Sequence, residues 1–209
     1  QALLRKNLAI ERFLQSVIKD KSIDTKTMLM GDRNAVMIAA RSSGYGSNYE
    51  TQVTCPSCGE KSQQTFDLDK PTIWESRFEK MKDVEKTSNG TFKVKCPLTK
   101  FTVELGLMTG EDEVYIAHVM RTNKKNRMPE ANMSLQYQRM IKSVEGHTDR
   151  RVIEHFLKEA PAKDMRFIKN VYKQISPDVQ VMSPFECPSC GHEQELEVAF
   201  GPDFFWPND

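Results

Sequence analysis

Apolar side chains recur every three or four positions in several stretches of the chain, which is the spacing of one face of an α-helix. Residues 1–19 form the first such stretch and are predicted to be helical. Its apolar positions are Leu4, Leu8, Ile10, Phe13, Leu14, Val17 and Ile18. A second helix is predicted at about 33–42, where Asp32 can cap the first turn and Gly44 can end the helix.

Elsewhere polar and apolar residues alternate, and this period predicts β-hairpins with one buried face. One hairpin lies within 49–70 and another within 179–209, and each surrounds a copy of the sequence CPSCG. A third hairpin spans 91–107, where the apolar residues of FKVKC alternate with lysines and CPLTK supplies the turn.

The remaining segments are predicted to be helical. The stretch 72–86 is highly charged, and Thr109 and Asp112 have the spacing of a helix capping box. The four helical segments after the third hairpin are 109–125, 129–146, 148–160 and 161–175.

Four of the five cysteines lie in the two CPSCG copies, as Cys55 and Cys58 and as Cys187 and Cys190. A CxxC turn directs two thiolates to one point, and the glycine that follows each pair permits a tight backbone return. Two such turns that face each other supply the four sulfur ligands of a closed structural zinc site. We therefore predict one structural Zn²⁺ per chain, with no open position for catalysis.

Other uses of the paired cysteines stay open: half-sites completed by a neighbouring subunit, redox chemistry, and disulfides. Redox CxxC motifs normally lie between a strand and a helix rather than on a hairpin tip. The zinc site must close a loop of 128 residues between Cys58 and Cys187. Closure costs about 4 kcal/mol, less than the roughly 10–16 kcal/mol that structural zinc supplies.

These elements predict an α+β fold: a mainly helical body with short antiparallel hairpins and a zinc-ribbon-like four-cysteine site at two hairpin tips. Four segments are expected to form one compact unit. They are the N-terminal helices (1–48), the first zinc-knuckle hairpin (49–70), an α/β body (71–178), and the second zinc-knuckle hairpin with an aromatic tail (179–209).

Two further features carry candidate functions. Cys96, the fifth cysteine, falls on the apolar face of a strand and is predicted to be a buried core thiol rather than a reactive one. The tail FGPDFFWPND is rich in aromatic residues. Phe204, Phe205 and Trp206 are therefore candidate partner-binding anchors, and the alternative is packing onto the second hairpin.

The composition and motifs of the chain argue against several classes of function. The net charge is +1, from 30 basic and 29 acidic residues, whereas nucleic-acid-binding proteins usually carry a basic excess. The longest apolar run, AVMIAA, is too short to span a bilayer. No signal peptide is visible, so a reducing cytoplasm is expected. None of the common catalytic or nucleotide-binding motifs occurs, which favours a protein without enzymatic activity.

The chain resembles the baseplate hub, or hub assembly, protein family of T-even-type contractile-tailed bacteriophages. The resemblance rests on GDRNAVMIAARSSGYGSNYETQVTCPSCGEKSQQTFDL, on FTVELGLMTGEDE and on FECPSCGHEQELEVAFGPDFFWP, and it covers roughly 30–209. It implies a tail-assembly role in the host cytoplasm or in the virion baseplate, without enzymatic activity. It also implies other hub proteins, and the tape-measure protein, as partners, and homo-oligomers because baseplate hubs are symmetric.

Two hypotheses follow. The first is a structural or assembly protein of the baseplate hub, stapled by one zinc ion. The alternative is a zinc-ribbon nucleic-acid-binding protein, which predicts a salt-dependent affinity for DNA or RNA. The balanced charge and the lack of aromatic residues in the basic run 121–129 favour the first.

Overall fold

The computed structural model describes residues 2–126, 128, 132–198 and 202–205. Its helices are α1 (Ala2–Val17), α2 (Met30–Tyr45), α3 (Gly110–Lys125), α4 (Asn132–Met140), α5 (Arg150–Glu159), α6 (Ala162–Ile175) and α7 (Pro202–Phe205). Its strands are β1 (Asn48–Thr54), β2 (Lys61–Asp67), β3 (Thr72–Trp74), β4 (Val84–Lys86), β5 (Phe92–Lys95), β6 (Thr102–Leu105), β7 (Ile141–Val144), β8 (Asp178–Gln180), β9 (Met182–Glu186) and β10 (Glu193–Glu197). In this part of the chain, no helix is both long enough and apolar enough to cross a membrane.

The α+β class is confirmed, and every sheet pairing is antiparallel. β1 pairs with β2, β9 with β10, and β3 with β8, while β4, β5, β6 and β7 form a four-stranded sheet in that order. The three predicted hairpins are therefore present. The four-segment division of the chain stays a prediction.

The prediction of a helix at 72–86 was wrong. This stretch contains β3, a 3₁₀ turn at Phe78–Lys80, and β4. Val84 pairs with Val94 of β5, and the ring of Phe78 lies 5.5 Å from that of Phe92. Packing against the β5–β6 hairpin thus places β4 at the edge of that sheet, while β3 pairs with β8. The body is therefore less helical than predicted.

The predicted helix at 129–146 was too long. Its described part is α4, which gives way at Ile141 to β7. β7 extends the sheet beside β6, where Val144 lies opposite Val103, and a register shift occurs at Glu104/Leu105. Ile141 and Val144 are buried in this strand, and so is the polar Ser143. The spacing of the two apolar residues therefore serves a strand rather than a helix face.

Helix α2 is longer at both ends than predicted. Leu29 occupies the position before its first turn, and Asp32 lies within that turn instead of capping it. The helix ends at Gly46, whose φ of 88° is accessible to glycine at little cost, rather than at Gly44. The capping box at α3 is confirmed, because the Thr109 N–H donates to the Asp112 carboxylate over 3.0 Å.

Two main hydrophobic cores organise the described residues. The first lies between the four-stranded sheet and helices α4, α5 and α6, with Val103, Leu105, Ile168 and Ile175 fully buried. The second brings α1 and α2 together with the β1–β2 hairpin, the chain around β8, β9 and β10, and α7. The long middle of the chain thus builds its own core, while both ends of the chain share the other.

A buried ion pair connects α1 to α2. Arg33 donates to the carboxylate of Glu11 over 2.9 Å and to the backbone oxygen of Thr25 over 2.7 Å. The carboxylate of Glu113 on α3 lies 3.6 Å from the same guanidinium. A Cβ at position 110 would stand 2.3 Å from Arg33 Nη1, so this side chain fits only because residue 110 is glycine.

Candidate metal centre

The two CPSCG turns fold in the same way. The Cys55 N–H donates to the backbone oxygen of Glu60 over 2.8 Å, and the Cys187 N–H donates to that of His192 over 2.9 Å. In both turns the glycine N–H returns a hydrogen bond of 2.9 Å to the oxygen of the first cysteine. The two glycines have φ values of 77° and 67°, the left-handed region that glycine adopts at little cost.

The tips of the two hairpins bring four sulfurs together. The Sγ atoms of Cys55 and Cys190 lie 3.8 Å apart, and those of Cys58 and Cys187 lie 3.6 Å apart. All four sulfurs fall within 4.8 Å of one another. A tetrahedron with metal–sulfur bonds of about 2.3 Å separates its sulfurs by about 3.8 Å. The four cysteines can therefore hold one metal ion between the hairpins.

The separations exclude disulfides in this structure, because bonded sulfurs lie about 2.05 Å apart. All five cysteines are free thiols. Each predicted half-site also finds its complement within the same chain, so a neighbouring subunit is not needed to complete the set of four sulfurs.

The electrostatics of the cluster favour a bound cation. Burial raises the pKa of the Cys55 thiol, but hydrogen bonds from backbone N–H groups of its own turn outweigh burial and bring the pKa to about 7. At Cys58 the N–H of Glu60 lowers the pKa, whereas the neighbouring thiols, Cys190 foremost, and burial raise it to about 12. Cys58 therefore stays protonated at neutral pH unless a positive charge lies among the sulfurs.

The first cysteine of each pair packs in a small apolar cluster. Cys55 and Cys187 are 1% and 2% exposed and pack with Phe185, while Cys58 and Cys190 are exposed. The hairpins also bond to each other, since the side-chain amide of Gln64 donates to Ser183 over 2.9 Å. The sulfurs are therefore held by two hairpins that already pack together.

The comparisons with known proteins assign a family. The family model for the "T4 bacteriophage base plate protein" matches residues 3–206. The chain belongs to this family. No curated protein and no solved structure matches it. Membership implies a place in the tail baseplate of the virion, in association with other baseplate proteins.

In the baseplate protein the CPLTK turn of the third hairpin resembles the two CPSCG turns, a likeness that we did not identify from the sequence. In CPLTK the Cys96 N–H donates to the oxygen of Phe101 over 2.8 Å, and Lys100 takes the glycine position with a φ of 63°. Thr99 stands where CPSCG has its second cysteine. The spacing of cysteine and proline in CPLTK is the signal that could have revealed this likeness.

A carboxylate stands at this third turn. Asp164, fully buried at the start of α6, accepts from the N–H groups of Leu98 and Thr99 over 2.8 and 3.0 Å and from the Thr99 hydroxyl over 2.7 Å. The equivalent N–H groups of the first CPSCG donate to the sulfur of Cys55. Asp164 thus gives this turn a side-chain partner that a metal-bound thiolate would otherwise provide.

Cys96 lies in the core, as predicted, and is 1% exposed. Burial, and next the charge of Asp164, raise the pKa of its thiol to about 11. A thiol with this pKa is almost entirely protonated at neutral pH, which disfavours nucleophilic or metal-binding chemistry.

Two aromatic residues of the tail pack against the rest of the chain. Phe204 and Phe205 are 1% and 3% exposed. Their rings lie 4.8 Å from Tyr49 and 4.3 Å from Phe13, respectively. The Arg41 Nε–H donates to the backbone oxygen of Phe204 over 2.9 Å. This burial favours packing within the chain for the first two anchors, whereas Trp206 lies outside the described residues, and a partner-binding role for the three stays a prediction.

Proposed function

We propose that this protein is a non-enzymatic structural or assembly component of the baseplate hub. The match to the baseplate family over residues 3–206 carries the proposal. Its partners are other hub proteins and the tape-measure protein, and it assembles with them in the host cytoplasm before the virion is complete. Homo-oligomers are part of the proposal, because a symmetric baseplate repeats its components.

The second part of the proposal is that Cys55, Cys58, Cys187 and Cys190 hold one Zn²⁺ per chain. Four sulfur donors in a tetrahedral arrangement suit zinc among the common divalent metals. The sulfur separations of 3.6 and 3.8 Å support this choice. With four protein ligands the metal would have no open position, so its role would be structural.

The test of the hub role is purification from infected cells that produce a tagged copy of the chain. We expect hub proteins to co-purify with it in defined ratios and the chain to be found in isolated baseplates or in hub precursors. Association with proteins of the outer baseplate alone, and absence of the chain from hub precursors, would contradict the hub role while leaving the family membership intact.

The charge of the second hairpin favours a protein partner over nucleic acid. Between 178 and 198 the chain carries Asp178, Glu186, Glu193, Glu195 and Glu197 and no lysine or arginine. Glu186 and Glu193 even lie directly opposite each other on β9 and β10. A polyanion would be repelled by this hairpin. A titration with duplex DNA at low and at moderate salt tests the alternative, and we expect no salt-dependent binding.

A further inference from the structure

A groove lies between the face of the β3–β8 sheet and helices α4 and α6, near the junction of the two main cores. Its volume is about 380 Å³, within the range of pockets that bind ligands. Its apolar lining includes Met30, Met108, Met140, Trp74 and Tyr172. Methionine side chains adapt to differently shaped occupants, and proteins use them at surfaces that bind partners.

The mouth of the groove is positively charged. Lys169 and Lys173 lie one turn apart on α6, and the guanidinium of Arg77 stacks 4.0 Å above the Trp74 ring. Within the described parts of the chain, none of the three forms an ion pair. The carboxylate of Asp178 is engaged by the Asn34 amide over 3.0 Å and by the Val179 N–H over 2.8 Å.

The carboxylate of Glu197 interacts electrostatically with Asp178 and with Lys173. Lys169 at the groove and Arg77, stacked on the Trp74 ring, therefore have no ion-pair partner among the described residues, and both lie beside the apolar cleft. This combination is complementary to a bulky apolar side chain that has a carboxylate next to it in sequence.

We propose that the groove binds a short segment of another protein, which inserts a bulky apolar side chain beside Trp74 and Tyr172 and directs a neighbouring Asp or Glu toward Lys169 and Arg77. The proposal concerns the chemistry of the partner segment and holds whether the partner is a hub protein or another baseplate protein.

The test uses the full chain and a library of random peptides. Peptides selected on the immobilised protein are sequenced, and the most enriched one is titrated by fluorescence anisotropy. We expect enriched sequences with Asp or Glu adjacent to Phe, Leu, Met or Trp. The variant K169E/K173E is expected to weaken binding about tenfold, which corresponds to the loss of two charge contacts. The matched control K158E/K163E reverses two exposed lysines away from the groove and is expected to bind as the wild type does.

A second readout places the peptide at the groove. The chain has two tryptophans, so W206F leaves Trp74 as the only one, and peptide binding should then shift its emission. The proposal is overturned if no acidic–apolar sequence is enriched, if K169E/K173E binds as tightly as its control, or if Trp74 emission does not change. Binding of a small apolar dye that quenches Trp74 in the absence of any peptide binding would also overturn it, in favour of a small-molecule site.

Discussion

Among single residues outside the cysteine cluster, Glu11 and Arg33 form a buried ion pair. Arg33 is 1% exposed and Glu11 is 6% exposed. Charges at such depth are stabilising only as long as both partners are present, because a single buried charge keeps its full desolvation cost. This pair joins α1 to α2 and, through Glu113, to α3.

We therefore expect Glu11→Ala to lower the free energy of unfolding by about 3 kcal/mol, since Arg33 then keeps only Glu113 at 3.6 Å as a charged partner. Urea denaturation followed by circular dichroism measures this. Lys70→Ala is the control, because it removes the pair of Asp67 with a lysine whose side chain is 83% exposed. An equal effect of both substitutions would show that the buried pair has no special role.

The cysteines allow a matched comparison at the same scale. Cys58→Ser removes one of the four clustered sulfurs, whereas Cys96→Ala removes a thiol that lies outside the cluster. Elemental analysis of the purified proteins should find about one zinc per chain in the wild type and in Cys96→Ala, and almost none in Cys58→Ser. Equal zinc content in all three proteins would contradict the assignment of the ligands.

At the scale of elements, the CPLTK turn and the start of α6 depend on one carboxylate. Burial raises the pKa of Asp164, but the hydrogen bonds from Thr99 and Leu98 outweigh it and hold the pKa below its usual value. A carboxyl group whose pKa is lowered by folding stabilises the protein above its unfolded pKa of about 3.9, and this stabilisation is lost as pH falls through the folded value.

Asp164→Asn should therefore destabilise the protein at neutral pH by about 1–3 kcal/mol, and its difference from the wild type should shrink as the pH falls below about 4. Urea unfolding at several pH values checks both effects. Thr99→Val removes only the hydroxyl contact and should have a smaller effect. A difference that stays constant down to low pH would contradict a role for the ionised carboxylate.

The secondary-structure elements differ in how far they could be predicted from the sequence. The two zinc-knuckle hairpins were predictable because alternation and the CPSCG tips point to one structure. The strands within 72–86 could not be predicted, because the glutamates and lysines of this stretch suit a solvated helix and an edge strand equally. The strand conformation of Val84 depends on its pairing with Val94, which lies further along the chain. The strand conformation of Ile141 and Val144 likewise depends on their pairing with β6.

The clustering of the four cysteines could be predicted from the sequence, since a fixed short motif specifies both the turn and the positions of its sulfurs. That these sulfurs bind a metal stays a prediction. The CPLTK turn was predicted as a hairpin turn, but its likeness to CPSCG was missed because Thr99 stands where such motifs have their second cysteine. Asp164, its partner, lies 65 positions further along the chain than Thr99. No local pattern connects the two residues, so only the tertiary structure could reveal their contact.

At the scale of the whole molecule, the four sulfurs join hairpins that belong to the core shared by both ends of the chain. The other core, around β5 and β6, contains none of them. Metal binding should therefore stabilise one part of the protein more than the other.

Removal of the metal with a chelator under reducing conditions should lower the midpoint of thermal unfolding by about 10 °C or more. Hydrogen exchange followed by mass spectrometry should show protection lost first in β1, β2, β9 and β10 and retained in β5 and β6. Uniform loss of protection across all six strands would show instead that the two cores unfold as one.

The span of 128 residues between Cys58 and Cys187 also sets the order of events during synthesis. The ribosome produces the first cysteine pair early and the second only after the entire body that contains β5, β6 and α6. Domains fold as they emerge, from the N-terminus onward, so the body can form before the second pair exists. A nascent chain therefore carries two unpaired thiols until the second hairpin arrives, and the four sulfurs can come together only after the body between them has been synthesised.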